Sequence, residues 1–432
     1  MERKPDLKSE RVGEQDGQEN CRDARERLQG AACQSRQPGD RTQEKGTLKP
    51  GELASRHGVD LSWQGEQLLF HIRVNGEDKK LMQTDRTPQG LAQADRQLDL
   101  LVASKLKEIE SKFKVTFSQE GEDIEKQVVK ENPDGSLDRG AMIAARAPRL
   151  DELYGIEAAL AHAAPSHLTK DGKEAVKFYF LQEKFVKGDN GTTLANYVNK
   201  DKNGKPAVYF WPGSADGRMI TEADLKKWGA PEEFSIESLL THELAHNSQY
   251  RLDWDQSANL ERFSNAIGWA PYEDPATHET IWLIKGKQGD YFKYDKAGDD
   301  WLRCNQQGKL LDGAGKPATA EKDAQHLSTA AVRDEALVRP PTEYFDNAVE
   351  MDAEGMRMFR VNSAQRQQLL ETSPVLYRFI KEQDQADINL NFGTNEKGQP
   401  HKIRLPDGSL SQNVANNSKI VADFERASKA TR

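Results

Sequence analysis

A short segment near the middle of the chain places two histidines around a glutamate, Thr241-His-Glu-Leu-Ala-His-Asn. On an α-helix, residues i and i+4 share a face, so His242 and His246 would direct two imidazoles at one metal ion, with Glu243 beside them. Zinc held by three protein ligands and one water lowers the pKa of that water, and a neighbouring carboxylate can take its proton. The spacing predicts a hydrolytic zinc centre with Glu243 as general base. The alternative is a pair of histidines that only cap a helix surface or satisfy core hydrogen bonds.

The third ligand is not fixed by spacing. The pattern HExxHxxGxxH fails, because Gln249 holds the glycine position and Leu252 the last histidine position, which excludes a metzincin. A carboxylate from a later helix remains, and Glu350 and Glu354 share one helical face by their i, i+4 spacing. The full set of candidate carboxylates is Glu261, Glu273, Glu335, Glu350 and Glu354.

One later segment, Pro341-Thr-Glu-Tyr-Phe-Asp-Asn-Ala-Val-Glu-Met-Asp-Ala-Glu354, resembles the second zinc segment of the anthrax-lethal-factor-like peptidases. In that gluzincin group a tyrosine is followed by Asn-x-x-Glu-x-x-Ala-Glu. The resemblance continues through Phe359-Arg and into Ser373-Pro-Val-Leu-Tyr-Arg-Phe-Ile, which is similar to the family's terminal helix. It covers roughly the second half of the chain.

The resemblance implies a role for each matching residue. Glu350 would be the third zinc ligand, and Tyr344 would donate a hydrogen bond to the developing oxyanion. Glu354 would orient one of the ligands without touching the metal. For Tyr344 the alternative is an aromatic packed at a helix start, and for Glu350 a solvated or capping carboxylate.

Hydrophobic patterning predicts the elements that must position these residues. Ser235 is a good N-cap for a helix that carries the histidines over residues 235–249. Further helices are expected near 94–114, 150–163, 344–359 and 364–383, and strands at 114–118, 176–181 and 207–211. We expect an α+β zincin-like fold: a twisted mixed sheet, the active-site helix beneath it, and a helical C-terminal subdomain that carries Glu350.

The chain divides by composition into four parts. Residues 1–56 are polar and read as a disordered leader, residues 57–90 as a small β segment, and residues 91–392 as the catalytic domain, followed by a polar tail over 393–432. Within the catalytic domain, residues 269–320 form a β-rich insertion, either a flap over the cleft or a surface ornament. Strand 207–211 is either an edge on which an extended peptide docks or a buried core strand.

Composition excludes several classes of partner. The formal net charge of -9 opposes attraction to nucleic acid or anionic lipid, and no stretch approaches the length of a membrane span. The three cysteines, Cys21, Cys33 and Cys304, show no zinc-knuckle or disulfide spacing and fit a reducing compartment. The N-terminus lacks a signal peptide, so we expect a cytoplasmic protein or one secreted by a non-classical, effector-type route.

Together these observations predict a zinc metallopeptidase that cuts a protein or peptide substrate, with Zn²⁺ as cofactor. The resemblance adds that such domains often act as toxins or effectors. Two alternatives stay open: a non-catalytic zinc-containing binding module or pseudoenzyme, and a housekeeping intracellular peptidase.

Overall fold

The computed structural model describes residues 49–384, with two longer gaps, at 213–234 (apart from Met219) and 252–263. Shorter gaps lie at 75–76, 125–128, 132–136, 140–142, 164, 171–173, 183–184, 188–190, 202, 275–277, 296–297, 299 and 382–383. The described chain combines several sheets with a helical C-terminal region, which confirms the α+β class. Within the described residues no helix has the length and apolar character needed to cross a bilayer.

The described chain starts with a small unit of helix, three strands and helix. It comprises α1 (Pro50–His57), β1 (Asp60–Gln64), β2 (Gln67–Val74), β3 (Glu77–Thr84) and α2 (Pro88–Phe113). The strands form an antiparallel sheet in the order β1-β2-β3, and its core includes Leu53, Phe70 and Leu98. Apolar surface shared by the sheet and both helices holds the unit together.

Two sequence boundaries change at this unit. The predicted disordered leader over 1–56 is wrong from Pro50 onward, where helix α1 begins, because Leu53 packs in the core of a sheet that composition alone does not reveal. The rest of that leader, residues 1–48, lies outside the described residues. The predicted boundary at residue 90 falls inside α2, so the β segment and the following helix share one core.

The next part of the chain alternates short strands with two helices. First come β4 (Thr116–Phe117), β5 (Asp123–Ile124), β6 (Val129–Glu131), β7 (Leu137–Arg139), β8 (Ile143–Ala144), α3 (Leu150–His162) and α4 (Pro165–Leu168). Then follow β9 (Thr169–Lys170), β10 (Glu174–Ala175), β11 (Lys177–Phe180), β12 (Phe185–Lys187), β13 (Gly191–Thr193), β14 (Ala195–Val198) and β15 (Ala207–Phe210).

Four of these strands form the central sheet, in the order β14-β15-β11-β4. Strand β11 runs parallel to both β4 and β15, and β14 pairs antiparallel with β15 at the edge of the sheet. All four residues of β15 are buried, as expected for a strand covered on both faces. Of the two alternatives for residues 207–211, the buried core strand is therefore confirmed, and in the described residues β14 and β4 lie at the edges of the sheet.

Helix α5 (Ile236–Arg251) carries the histidine motif under this sheet. The Ser235 hydroxyl accepts from the Ser238 N–H at 3.1 Å, which confirms the predicted N-cap. Leu240 and Leu244 join the core of the central sheet. Helix α3 crosses α5 closely at Gly155, where an added Cβ would lie 2.4 Å from Ile236 Cγ2. These contacts fix the height and rotation of α5.

The predicted β-rich insertion is a five-stranded antiparallel sheet. Its strands follow one another in chain order: β16 (Trp269–Glu273), β17 (Thr280–Lys285), β18 (Tyr291–Asp295), β19 (Asp300–Cys304) and β20 (His326–Leu327). Trp269 Nε1 donates to Met351 Sδ at 3.0 Å, and Trp301 stacks on Phe345 with ring centroids 5.2 Å apart. The surface-ornament alternative is wrong, because this sheet shares a buried core with the segment that contains Glu350.

Helices complete the described chain: α6 (Thr329–Glu335), α7 (Ala348–Val361), α8 (Ser363–Thr372) and a further helical stretch over 374–381. The helix predicted over 344–359 starts later, at Ala348, because Asn347 caps it. The single helix predicted over 364–383 is broken at Ser373, since Pro374 disfavours helical backbone in the residue before it. The predicted tail, 393–432, lies outside the described residues.

Candidate metal centre

Helix α5 presents His242 and His246 on one side, as their spacing predicts. The two rings meet edge to face, with centroids 4.9 Å apart. One nitrogen of each ring and one carboxylate oxygen of Glu350 all lie within 4.8 Å of one another. The structure therefore brings together the two predicted histidines and one of the five candidate carboxylates.

Glu350 reaches this point from the first turn of α7. Asn347 caps that turn, and its Oδ1 accepts from the Val349 and Glu350 N–H groups at 2.9 Å each. Glu350 Oε2 lies 3.0 Å from His242 Nε2 and 3.6 Å from His246 Nε2. Ligands about 2.05 Å from a tetrahedral zinc are separated by about 3.3 Å, so the observed donor spacing fits that ion.

The charges of the three groups depend strongly on one another. Burial alone would lower the pKa of both histidines, but Glu350 opposes this and, with Glu354, raises the pKa of His242 to about 10. Burial would raise the pKa of Glu350, but His246 and His242 hold it well below its usual range. A carboxylate and two imidazoles thus share a partly buried site that favours added positive charge, which protons or a cation can supply.

Glu354 lies one turn beyond Glu350, behind His242. Its Oε2 is 3.4 Å from His242 Nδ1, on the side of the ring that faces away from the donor group. Arg357 grips the same carboxylate with two hydrogen bonds, of 2.8 and 2.7 Å. Despite burial, Arg357 and His242 lower the pKa of Glu354, so the carboxylate stays ionised. The resemblance implies a ligand-orienting role for Glu354, and this contact with His242 is compatible with that prediction.

Glu243 is buried beside the donor group, with 7% of its surface exposed. Burial raises its pKa, although His242 and His246 oppose the shift and the Tyr197 backbone N–H donates to the carboxylate. Tyr197 belongs to edge strand β14, and its hydroxyl donates to Asn247 Oδ1 at 2.8 Å. The predicted base therefore lies between the donor group and the edge of the central sheet.

Tyr344 lies in the loop before α7, and 62% of its surface is exposed. Its ring packs edge to face on His242, with centroids 5.4 Å apart. Desolvation of the phenol hydroxyl and the nearby Glu350 and Glu243 raise the pKa of Tyr344, and a phenol is protonated at neutral pH even at its usual pKa. The neighbouring Phe345, not Tyr344, is the aromatic buried near the helix start.

The other candidate carboxylates do not join this group in the described part of the chain. Glu273 pairs with His278 on the surface, and Glu335 ends α6 with its carbonyl bonded to the Lys287 N–H. Glu261 lies outside the described residues.

A second group of possible donors, His57, Asp95 and Asp99, lies between α1 and α2. Arg56 contacts both of its carboxylates, at 3.2 Å from Asp95 and 3.8 Å from Asp99. The guanidinium already supplies the positive charge that a metal would bring. This second group is therefore an ion-pair network that joins two helices.

Three polar residues around the centre were not predicted: Asn247, Gln249 and Arg357. All three are buried. Gln249 and Arg357 each follow a site residue by three positions, His246 and Glu354 respectively. For Gln249 and Arg357, the available signal was a polar side chain one helical turn from a predicted site residue.

No protein-family model, no curated protein and no solved structure matches this chain.

Proposed function

We propose that the protein is a zinc-dependent endopeptidase with a zincin-like catalytic domain. One observation carries the proposal: His242 Nε2, His246 Nε2 and Glu350 Oε2 converge with spacings suited to zinc, and the buried Glu243 lies beside them. Two imidazoles and one carboxylate leave one tetrahedral position for water, as in catalytic rather than structural zinc sites. The proposed fold, with a mixed sheet above α5 and a helical subdomain bearing Glu350, agrees with the sequence resemblance.

When bound, zinc would supply an acidified water and a Lewis acid for the scissile carbonyl. Glu243 takes a proton from the attacking water and returns it to the leaving amine, and its raised pKa suits a group that must do both. The protonated phenol of Tyr344 donates a hydrogen bond to the oxyanion that forms on the carbonyl. Its exposed position lets a substrate reach it.

Strand β14 supplies a surface for the substrate. It is an edge strand of the central sheet in the described residues, and the Tyr197 N–H on it donates to the Glu243 carboxylate. An extended peptide that pairs with such an edge places successive carbonyls along the strand. One of these carbonyls would then lie near Glu243 and the donor group. A protein segment in extended conformation is therefore the proposed substrate class. Action as an effector on proteins of another cell is proposed from the resemblance alone.

Zinc content and peptide cleavage test the proposal together. The wild-type protein should contain one zinc per chain and cleave members of a random peptide library. Glu243→Gln should keep the zinc and lose about 10²- to 10⁴-fold in kcat, because it removes proton transfer but no ligand. Glu237→Gln, on the same helix but outside the donor group, is the control and should cleave normally.

Each failure has a distinct meaning. A wild-type protein without zinc would refute the metal centre. Zinc with no cleavage of any peptide would favour the binding-module alternative, and cleavage that survives Glu243→Gln would refute the assigned base.

A further inference from the structure

The buried amide of Gln249 connects the two helices that supply the donor group. Its Oε1 lies 2.8 Å from His246 Nδ1, one turn earlier on α5. Its Nε2 donates to the Val349 carbonyl at 2.8 Å and to Asp352 Oδ2 at 2.7 Å, both on α7. Val349 and Asp352 flank Glu350 in the sequence, so Gln249 joins one histidine to the turn that carries the third donor.

The contacts of this amide fix its orientation. A backbone carbonyl and a carboxylate only accept hydrogen bonds, so the side of the amide that faces Val349 and Asp352 must be the NH₂ group. The carbonyl oxygen of Gln249 must then face His246. Reversing the amide would place oxygen against two oxygen acceptors in a site where Gln249 is 4% exposed and Asp352 fully buried.

The orientation of Gln249 in turn selects one form of His246. An amide oxygen accepts, so His246 Nδ1 must carry a proton and donate to it. In the neutral ring the lone pair is then on Nε2, the atom that lies 3.6 Å from Glu350 Oε2. Gln249 therefore orients the imidazole so that its free lone pair points at the donor group.

His242 reaches the same state by a different route. Its Nδ1 faces the carboxylate of Glu354, which Arg357 holds in place. The two histidines thus have different supports, a carboxylate behind His242 and an amide backed by Asp352 behind His246. Both supports come from, or are held by, helix α7.

We propose that Gln249 is a positioning residue for the metal centre: through Asp352 and Val349 it fixes the Nδ1–H tautomer of His246 and the distance between helices α5 and α7. The inference rests on the proposed zinc site, since it assigns a role toward that ion. It predicts a loss of zinc affinity that is separate from any loss of cleavage chemistry.

Zinc affinity, measured by competition with a chromophoric chelator, gives the first test. Gln249→Met keeps the length of the side chain but removes both hydrogen-bonding groups, and should weaken zinc binding about 10- to 100-fold. Tyr179→Phe is the control: it also removes a hydrogen bond of a buried side chain, from the Tyr179 hydroxyl to Asp201 at 2.8 Å, but in the central sheet and outside the donor group. It should leave zinc affinity within about twofold of wild type, and an equal loss in both variants would overturn the proposal.

A second variant protects the test against simple misfolding. Gln249→Glu keeps an acceptor for His246 but sets two carboxylates against each other, whereas Gln249→Glu combined with Asp352→Asn restores a donor between them. The double variant should bind zinc at least tenfold more tightly than Gln249→Glu alone. A double variant as weak as the single one would contradict the proposed link to Asp352.

The tautomer itself can be read by nitrogen NMR of ¹⁵N-histidine-labelled protein loaded with zinc. Wild type should show a protonated, exchange-protected Nδ1 on His246, and Gln249→Met should lose the protection. Zinc affinity and protection that both survive Gln249→Met would refute the inference while the peptidase proposal stands. A wild-type protein that binds zinc as described here but cleaves no peptide would refute the peptidase and leave the inference intact.

Discussion

The described part of the molecule contains two chains of interacting arginine, carboxylate and histidine side chains. Near the N-terminal unit, Arg56, Asp95 and His57 have side chains that are 57%, 18% and 4% exposed. At the candidate metal centre, Arg357, Glu354 and His242 have side chains that are 3%, 5% and 8% exposed. The chemical groups are alike, but only the second chain is buried at both ends.

The two histidines differ in the partners of their two ring nitrogens. His57 Nε2 bonds Asp95 at 2.8 Å, and its Nδ1 lies 3.8 Å from the exposed Asp99, so carboxylates lie on both sides of the ring. His242 uses Nδ1 for its support and turns Nε2 toward a second imidazole and Glu350. The candidate metal centre differs from the group of His57, Asp95 and Asp99 in its second nitrogen donor and in the buried carboxylate behind its histidine.

The largest difference between the two groups is expected in zinc binding, when each group loses one carboxylate. Glu350→Ala should weaken zinc binding by about 10³-fold or more, because one of three protein ligands is lost. Asp95→Ala should leave zinc stoichiometry and affinity unchanged. Equilibrium dialysis of both variants measures zinc binding. Zinc loss in Asp95→Ala would show that the group of His57, Asp95 and Asp99 also binds metal.

Removing each arginine should separate buried from exposed ion pairs. Arg357→Met leaves Glu354 buried without its bidentate partner and should lower the free energy of unfolding by about 3 kcal/mol. Arg357→Lys is the control that keeps the charge but not the two parallel hydrogen bonds. Its free energy of unfolding should lie between those of the wild type and Arg357→Met. Urea unfolding of the zinc-free proteins gives the values, and a loss below about 1 kcal/mol would mean that solvent reaches Glu354.

The smallest effect on the free energy of unfolding is expected at the exposed ion pair of Arg56 and Asp95. Arg56→Met should lower the free energy of unfolding by less than about 1 kcal/mol, since water screens this half-exposed guanidinium. The difference from wild type should shrink further in 1 M salt, where exposed charges are screened over about 3 Å. A loss as large as that of Arg357→Met would remove the distinction between the two chains.

The sequence predicted the elements of the site better than their arrangement. The i, i+4 histidines, the Ser235 cap and the helix that carries Glu350 follow local rules that a single sequence displays. Spacing alone left five carboxylates open, and Glu350 was separated from the others only by the family resemblance. The structure brings Glu350 to the histidines through an interhelical contact that no local pattern encodes.

Other features depended on tertiary context in the same way. Residues 207–210 are apolar and aromatic whether the strand is central or at an edge, and only the sheet order decides between them. The role of the five-stranded sheet was invisible because its large aromatics, Trp269 and Trp301, meet partners more than 40 residues away in the chain. In the sequence Gln249 is an ordinary polar residue of a predicted helix. Its role depends on Val349 and Asp352, which lie opposite it in the structure.

The position of the five-stranded sheet in the chain has a consequence for synthesis. His242 and Glu350 are 108 residues apart, and the sheet is made between them. At ordinary rates of translation, the last donor leaves the ribosome roughly 5 to 20 s after the first. During that interval the growing chain contains His242, Glu243 and His246 but lacks Glu350 and the rest of helix α7, which contacts both histidines in the folded protein. A newborn chain of the proposed peptidase is therefore inactive until the sheet and α7 have been made and have folded together.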